Sequence, residues 1–113
     1  MNWHCLKVSG EMKSKQTKAC DISKKVKDEV WDRDEHCCII CGNPNAMPNA
    51  HYIARSHGGL GIPQNIVTLC LDCHFDYDHT CLRKLYKDII QGYLKSKYDG
   101  WNEEELIYKK GVN

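Results

Sequence analysis

No stretch of this chain is apolar for long enough to cross a membrane, and no apolar signal-peptide core follows Met1. These two absences argue against a membrane-embedded or exported protein and make the cytoplasm the expected compartment. An excess of charge is also missing. The formal net charge is +1, so total charge gives no argument for a nucleic-acid partner. There is no low-complexity tract, and the only internal repeat is a pair of Cys-x-x-Cys motifs. With 113 residues, the chain suits one domain with a modest core.

What is present is cysteine, histidine and an uneven spread of lysine. Lys7, Lys13, Lys15, Lys18, Lys24, Lys25 and Lys27 crowd the first quarter. Residues 1–19 read as a flexible basic arm able to follow a phosphate backbone, and residues 20–113 as the folded domain. Eight cysteines in a secreted chain would suggest disulfides; in a reducing compartment they suggest metal. Cys38, Cys41, Cys70 and Cys73 supply the four soft ligands that a tetrahedral zinc prefers. A closed four-sulfur site has no open position, so this zinc is expected to be structural. Cys37 would sit four residues from Cys41, which favours Cys38. Cys5, Cys20 and Cys81 have no partner at ligand spacing and read as free thiols.

Local patterns give a coarse architecture. Asp21 or Ser23 can cap a helix running to about Asp34, with Ile22, Val26, Val30 and Trp31 on one face. Asn43, Pro44, Asn45 and Pro48 suggest a loop, and His51-Tyr52-Ile53 a short strand. Ser56-His57-Gly58-Gly59 is a turn, followed by an irregular return bent by Pro63. Val67 and Leu69 form a second strand or lead into a helix beginning near Leu71. Leu82, Leu85, Tyr86, Ile89, Ile90, Tyr93 and Leu94 repeat at helical spacing, as a core-facing stripe does. Asn102 and Glu105 resemble a capping box that opens a last short helix with Lys109 and Lys110 at its far end.

Four of the six histidines lie between Asn49 and His79. His51 is followed by Gly58-Gly59, then Asn65, then Cys70-Leu71-Asp72-Cys73-His74. This order resembles the HNH (His-Asn-His) endonucleases, whose fold is the ββα-metal motif. The likeness spans residues 38–79. It is nearest to small phage-type members, on Ala50-His51-Tyr52-Ile53-Ala54-Arg55 and Gly58-Gly59-Leu60-Gly61. The resemblance implies an α+β domain, a zinc-stapled ββα-metal core with flanking helices, that hydrolyses DNA phosphodiester bonds.

By that resemblance His51 is the general base that activates water. Asn65 ties down the loop and orients His51. His74 and Asp78 hold a catalytic divalent ion, Mg²⁺ or Mn²⁺, with Ni²⁺ or Zn²⁺ also compatible with a histidine ligand. The products carry 5′ phosphate and 3′ hydroxyl. Many members place Asp or His just before the general base as a further ligand; here that residue is Ala50, so the ion relies on water and phosphate or recruits Asn49 or Asp76. His79 is the alternative to Asp78. Arg55 is the expected nucleic-acid contact, since arginine pairs bidentately with phosphate. The expected partner is double-stranded DNA, met by a monomer that nicks or a homodimer that cuts both strands. The same residues also fit a zinc-stapled nucleic-acid-binding module without catalysis.

Overall fold

A computed structural model describes residues 14–109. Most of the expected basic arm, residues 1–13, lies outside the described residues. So do Lys110 and Gly111. The part of the arm that is described is helical. Helix α1, Lys15–Cys20, starts at Ser14, whose Oγ accepts from Thr17 N at 3.0 Å. Helix α2, Lys24–Arg33, starts at Ser23, the second of the two candidate caps, whose Oγ accepts from Val26 N at 3.2 Å. Both hydroxyls satisfy an amide that the first helical turn leaves unpaired.

Glu35 and His36 follow α2 with φ of 60° and 61°, and this left-handed pair turns the chain into the Cys38 knuckle. Strand β1, Ala46–His51, pairs antiparallel with strand β2, Ile66–Cys70. The register runs from Ala46 opposite Cys70 to His51 opposite Ile66, with a bulge between Met47 and Ala50. The strand thus begins several residues earlier than the sequence suggests, and Tyr52 and Ile53 lie in a bend beyond it. Pro48 is the reason. A proline marks a loop by composition, but here it sits in the bulge, where a missing N–H breaks no ladder bond.

All five residues of β2 are buried. Helix α3, Leu71–His79, follows directly, with Cys70 as its N-cap. Helix α4, Arg83–Lys97, buries Ile90 and Leu94 and packs Tyr86 and Tyr93 against the core. Leu85 and Ile89 of the expected stripe stay exposed, because the core covers a single narrow face of the helix. The domain is therefore α+β, with a two-stranded antiparallel sheet between helices. None of the described helices is long and apolar enough to cross a membrane.

The last helix is replaced by a short 3-10 turn, Glu103–Leu106. Asn102 Oδ1 caps Glu104 N at 2.8 Å. Beyond it the backbone bonds sideways rather than along a helix: Tyr108 N donates to Gly58 O and Leu60 N to Leu106 O, both at 2.8 Å. Gly58 takes a left-handed φ of 83°, as a turn glycine should, but Gly59 does not. Gly59 is required by crowding, since a Cβ there would lie 1.7 Å from Ile53 O.

A buried ion pair links α2 to the sheet and to α4. Arg33 Nε and Nη2 donate to Asp34 Oδ1 and Oδ2 at 2.7 and 3.1 Å. Asp34 also accepts from Thr68 N at 2.9 Å and from Tyr93 OH at 2.5 Å. Arg33 donates onward to the carbonyls of Pro63 and Ile66, each at 2.7 Å. These bonds hold the guanidinium charged, with a pKa raised despite its burial. Asp34→Ala would strand a buried cation and the Thr68 amide, so we expect a loss of about 3–5 kcal/mol. Urea unfolding measures it; a change under about 1 kcal/mol would mean water replaces the carboxylate.

Candidate metal centre and histidine cleft

The knuckle and the β2–α3 junction bring four thiols together. Cys38, Cys41, Cys70 and Cys73 place their sulfurs within 4.8 Å of one another, and Cys41 Sγ lies 3.6 Å from Cys70 Sγ. Four sulfurs at about 2.3 Å from one tetrahedral ion would stand roughly 3.8 Å apart, so the set fits a metal. Backbone geometry arranges this. Gly42, at φ 80°, closes the knuckle as its N–H donates to Cys38 O at 2.9 Å. Ile39 N donates to Thr68 O at 3.0 Å and pins the knuckle to β2. Burial opposes ionisation of Cys38, yet amides of Cys41, Cys70 and Ile40 pull its pKa down to about 7, whereas burial and the neighbouring sulfurs push the Cys73 thiol up. Cys37 is outside the cluster, and its Sγ faces Asp34 O at 3.6 Å. Cys20 is buried and Cys81 exposed; both are free thiols.

A cleft of about 960 Å³ opens where the end of β1 meets α3. His51 at the end of β1 and His74 and Asp78 on α3 all line it, together with Asn49 and Arg55. His74 and Asp78 are one helical turn apart, with Nε2 and Oδ2 separated by 3.3 Å. His79 lines the cleft too but packs its ring against Phe75, centroids 4.9 Å apart.

The His51 ring is held by the C-terminal end of α1. Its Nε2 lies 2.9 Å from Cys20 O. A carbonyl only accepts, so Nε2 carries the proton and Nδ1 keeps its lone pair. Burial lowers the His51 pKa; the Cys20 carbonyl partly offsets this, and the charges of Arg55 and His74 lower it further. The imidazole is therefore neutral near pH 7, with a basic Nδ1.

Asn65 is buried in the loop between the strands. Its Oδ1 accepts from Ile53 N at 2.8 Å, and its Nδ2 donates to Leu60 O at 2.9 Å and Ile53 O at 3.2 Å. These bonds tie down the loop; none of them reaches the His51 ring, which Cys20 O orients. Arg55 Nη1 donates to the same Cys20 O at 2.9 Å, and Nη2 to Asp21 Oδ1 at 2.9 Å. Its guanidinium is thus engaged beside the His51 anchor. The other cations on the cleft wall are Lys27 and Arg83, the latter stacked 4.7 Å over the Tyr77 ring. The Cys20 anchor was invisible in the sequence, because a backbone carbonyl 31 residues away leaves no residue signature.

These features define an α+β domain with a four-cysteine cluster able to hold a metal ion and, beside it, a cleft lined by histidines and a carboxylate. The chain is 34% identical over 55 residues to anaredoxin from Nostoc sp. (strain PCC 7120 / SAG 25.82 / UTEX 2576), a match spanning 48% of this chain and 72% of that protein. The chain belongs to the same family as anaredoxin. No family model and no solved structure matches it.

Proposed function

We propose that this domain is a metal-dependent endonuclease of the HNH kind that hydrolyses phosphodiester bonds in double-stranded DNA. The observation that supports this reading is that His51 and His74 share one cleft, with His51 Nε2 committed to a carbonyl and the Nδ1 lone pair free to accept a proton. In the proposed reaction, water gives its proton to His51 Nδ1 and its oxygen bonds to phosphorus. The bond to the 3′ oxygen breaks in line and that oxygen takes a proton from solvent water, leaving 5′ phosphate and 3′ hydroxyl ends. A divalent ion held by His74 and Asp78, Mg²⁺ or Mn²⁺, would supply charge stabilisation to the phosphoryl and leaving oxygens. Cys20 O keeps the imidazole in its reactive tautomer, and Asn65 fixes the loop that carries the chain from β1 to β2. Lys27 and Arg83 supply cations for flanking phosphates. The four cysteines would hold structural zinc, which a reducing cytoplasm keeps available to them. With one cleft among the described residues that holds both His51 and His74, each visit would cut one strand.

Supercoiled plasmid tests the reading. Nicked circles should form with Mg²⁺ or Mn²⁺ and vanish with chelator. Binding to the plasmid without nicking in any ion would favour a non-catalytic nucleic-acid module.

A second reading follows from the relative, whose name points to an electron-transfer protein. A tetrahedral four-sulfur site accepts iron as well as zinc. Metal analysis of the purified protein separates the two. Colourless protein with one zinc supports the nuclease reading; coloured, reducible protein with bound iron supports the other.

The nuclease reading also fixes a pH dependence. The base works only when neutral, and the His51 pKa is displaced below its ordinary 6.5. With Mn²⁺ saturating, the nicking rate should rise with pH to a midpoint under 6.5 and then level off through pH 8. The neutral ring also favours the fold above pH 6.5, a contribution lost as pH falls through the lowered pKa. A rate midpoint at 7 or higher would take His51 out of the base's role.

A further inference from the structure

Two donors do not complete an ion's shell. Ligands bound to one octahedral ion at about 2.1 Å stand roughly 3 Å apart, near the 3.3 Å between His74 Nε2 and Asp78 Oδ2. No third histidine, cysteine or carboxylate among the described residues groups with them. Among the described residues, only the four cysteines gather as a group of three or more such ligands. Ala50, where a further ligand would be sought from the sequence, is 1% exposed and part of the core. Asp76 does not line the cleft, and His79 packs on Phe75.

Asn49 differs from all of these. It lines the cleft with His51, His74 and Asp78. Its Oδ1 is buried and has no hydrogen-bond partner. A buried acceptor without a donor is costly, and natural proteins rarely leave one unless something absent from the polypeptide satisfies it. An amide oxygen is a hard, neutral donor of the kind that Mg²⁺ and Mn²⁺ accept.

We propose that Asn49 Oδ1 is the third protein ligand of the divalent ion held by His74 and Asp78. The proposal rests on the nuclease reading only in that both require this ion. It also gives the bulge in β1 a purpose. The irregularity between Met47 and Ala50 sets Asn49 on the cleft while Ala50 packs inward. A neutral ligand in place of an acidic one leaves the site with a single carboxylate, so substrate phosphate should contribute to holding the ion.

Mn²⁺ titration followed by electron paramagnetic resonance, on DNA-free protein with its sulfur-bound metal intact, tests this. Asn49→Ala should weaken Mn²⁺ binding by at least about tenfold. Asn49→Asp, nearly the same shape with an added charge, should bind at least as tightly as the wild type. Neither should change the metal content of the cysteine site. Asn49→Ala binding Mn²⁺ like the wild type, while His74→Ala loses it, would overturn the role of Asn49 alone. Asn49→Asp binding no better than Asn49→Ala would also overturn it. A wild type that binds no Mn²⁺ would overturn both this assignment and the nuclease reading.

Discussion

Replacing His51 with alanine should abolish plasmid nicking while leaving DNA binding near that of the wild type. General bases typically contribute a factor of about 10²–10⁴ in rate, and the loss should reach at least that range. The variant removes one hydrogen bond, to Cys20 O, and opens a half-buried site, so a stability loss of about 1 kcal/mol is expected alongside. Activity and stability therefore separate. Melting should shift by a few degrees, whereas nicking should fall below detection. Cys20 supplies its carbonyl from the main chain, so Cys20→Ser should keep the anchor and the tautomer. Nicking by His51→Ala at more than a tenth of the wild-type rate would assign the base elsewhere.

The largest effect on the fold should come from the sulfur cluster. Cys38 and Cys73 are 1% and 6% exposed and stand where the knuckle meets the β2–α3 junction. Structural zinc sites bind with about 10–16 kcal/mol. That matches or exceeds the total stability of a typical small domain, about 5–15 kcal/mol. Cys38→Ser or Cys73→Ser should therefore leave the domain largely unfolded at room temperature, as should a strong chelator. Cys37→Ser and Cys81→Ser are the controls. Cys37 stands outside the cluster and Cys81 is exposed, so both variants should keep the metal and the melting temperature. Circular dichroism and a zinc assay read both quantities. An unchanged melting curve for Cys38→Ser would mean that packing alone holds the fold.

Much of this architecture was legible from local signals. The second helix, with its Ser23 cap, α3 and α4 all leave marks within a few residues of themselves. The choice of Cys38 over Cys37 followed from spacing, and the sulfur geometry agrees. What escaped was long-range or contrary to local propensity. The first strand runs through Pro48, whose ring normally ends a strand, and only the bulge accommodates it. In place of the expected last helix, Tyr108 N donates to Gly58 O and Leu106 O accepts from Leu60 N. Arg33 and Asp34 look like an ordinary charged helix end, yet they tie α2 to β2 and α4. Arg55, expected as a nucleic-acid contact, lines the cleft and also bonds Cys20 O and Asp21, which sets it beside the anchor of His51 through chain segments about 35 residues apart.

The most direct measurement is a crystal structure of the wild-type protein with Mn²⁺ and a nicked DNA duplex, using anomalous scattering to locate the manganese. The account predicts manganese between His74 and Asp78, touching a 5′ phosphate whose far side faces the His51 ring. Manganese absent from this cleft, or a phosphate bound beyond the reach of His51, would contradict it.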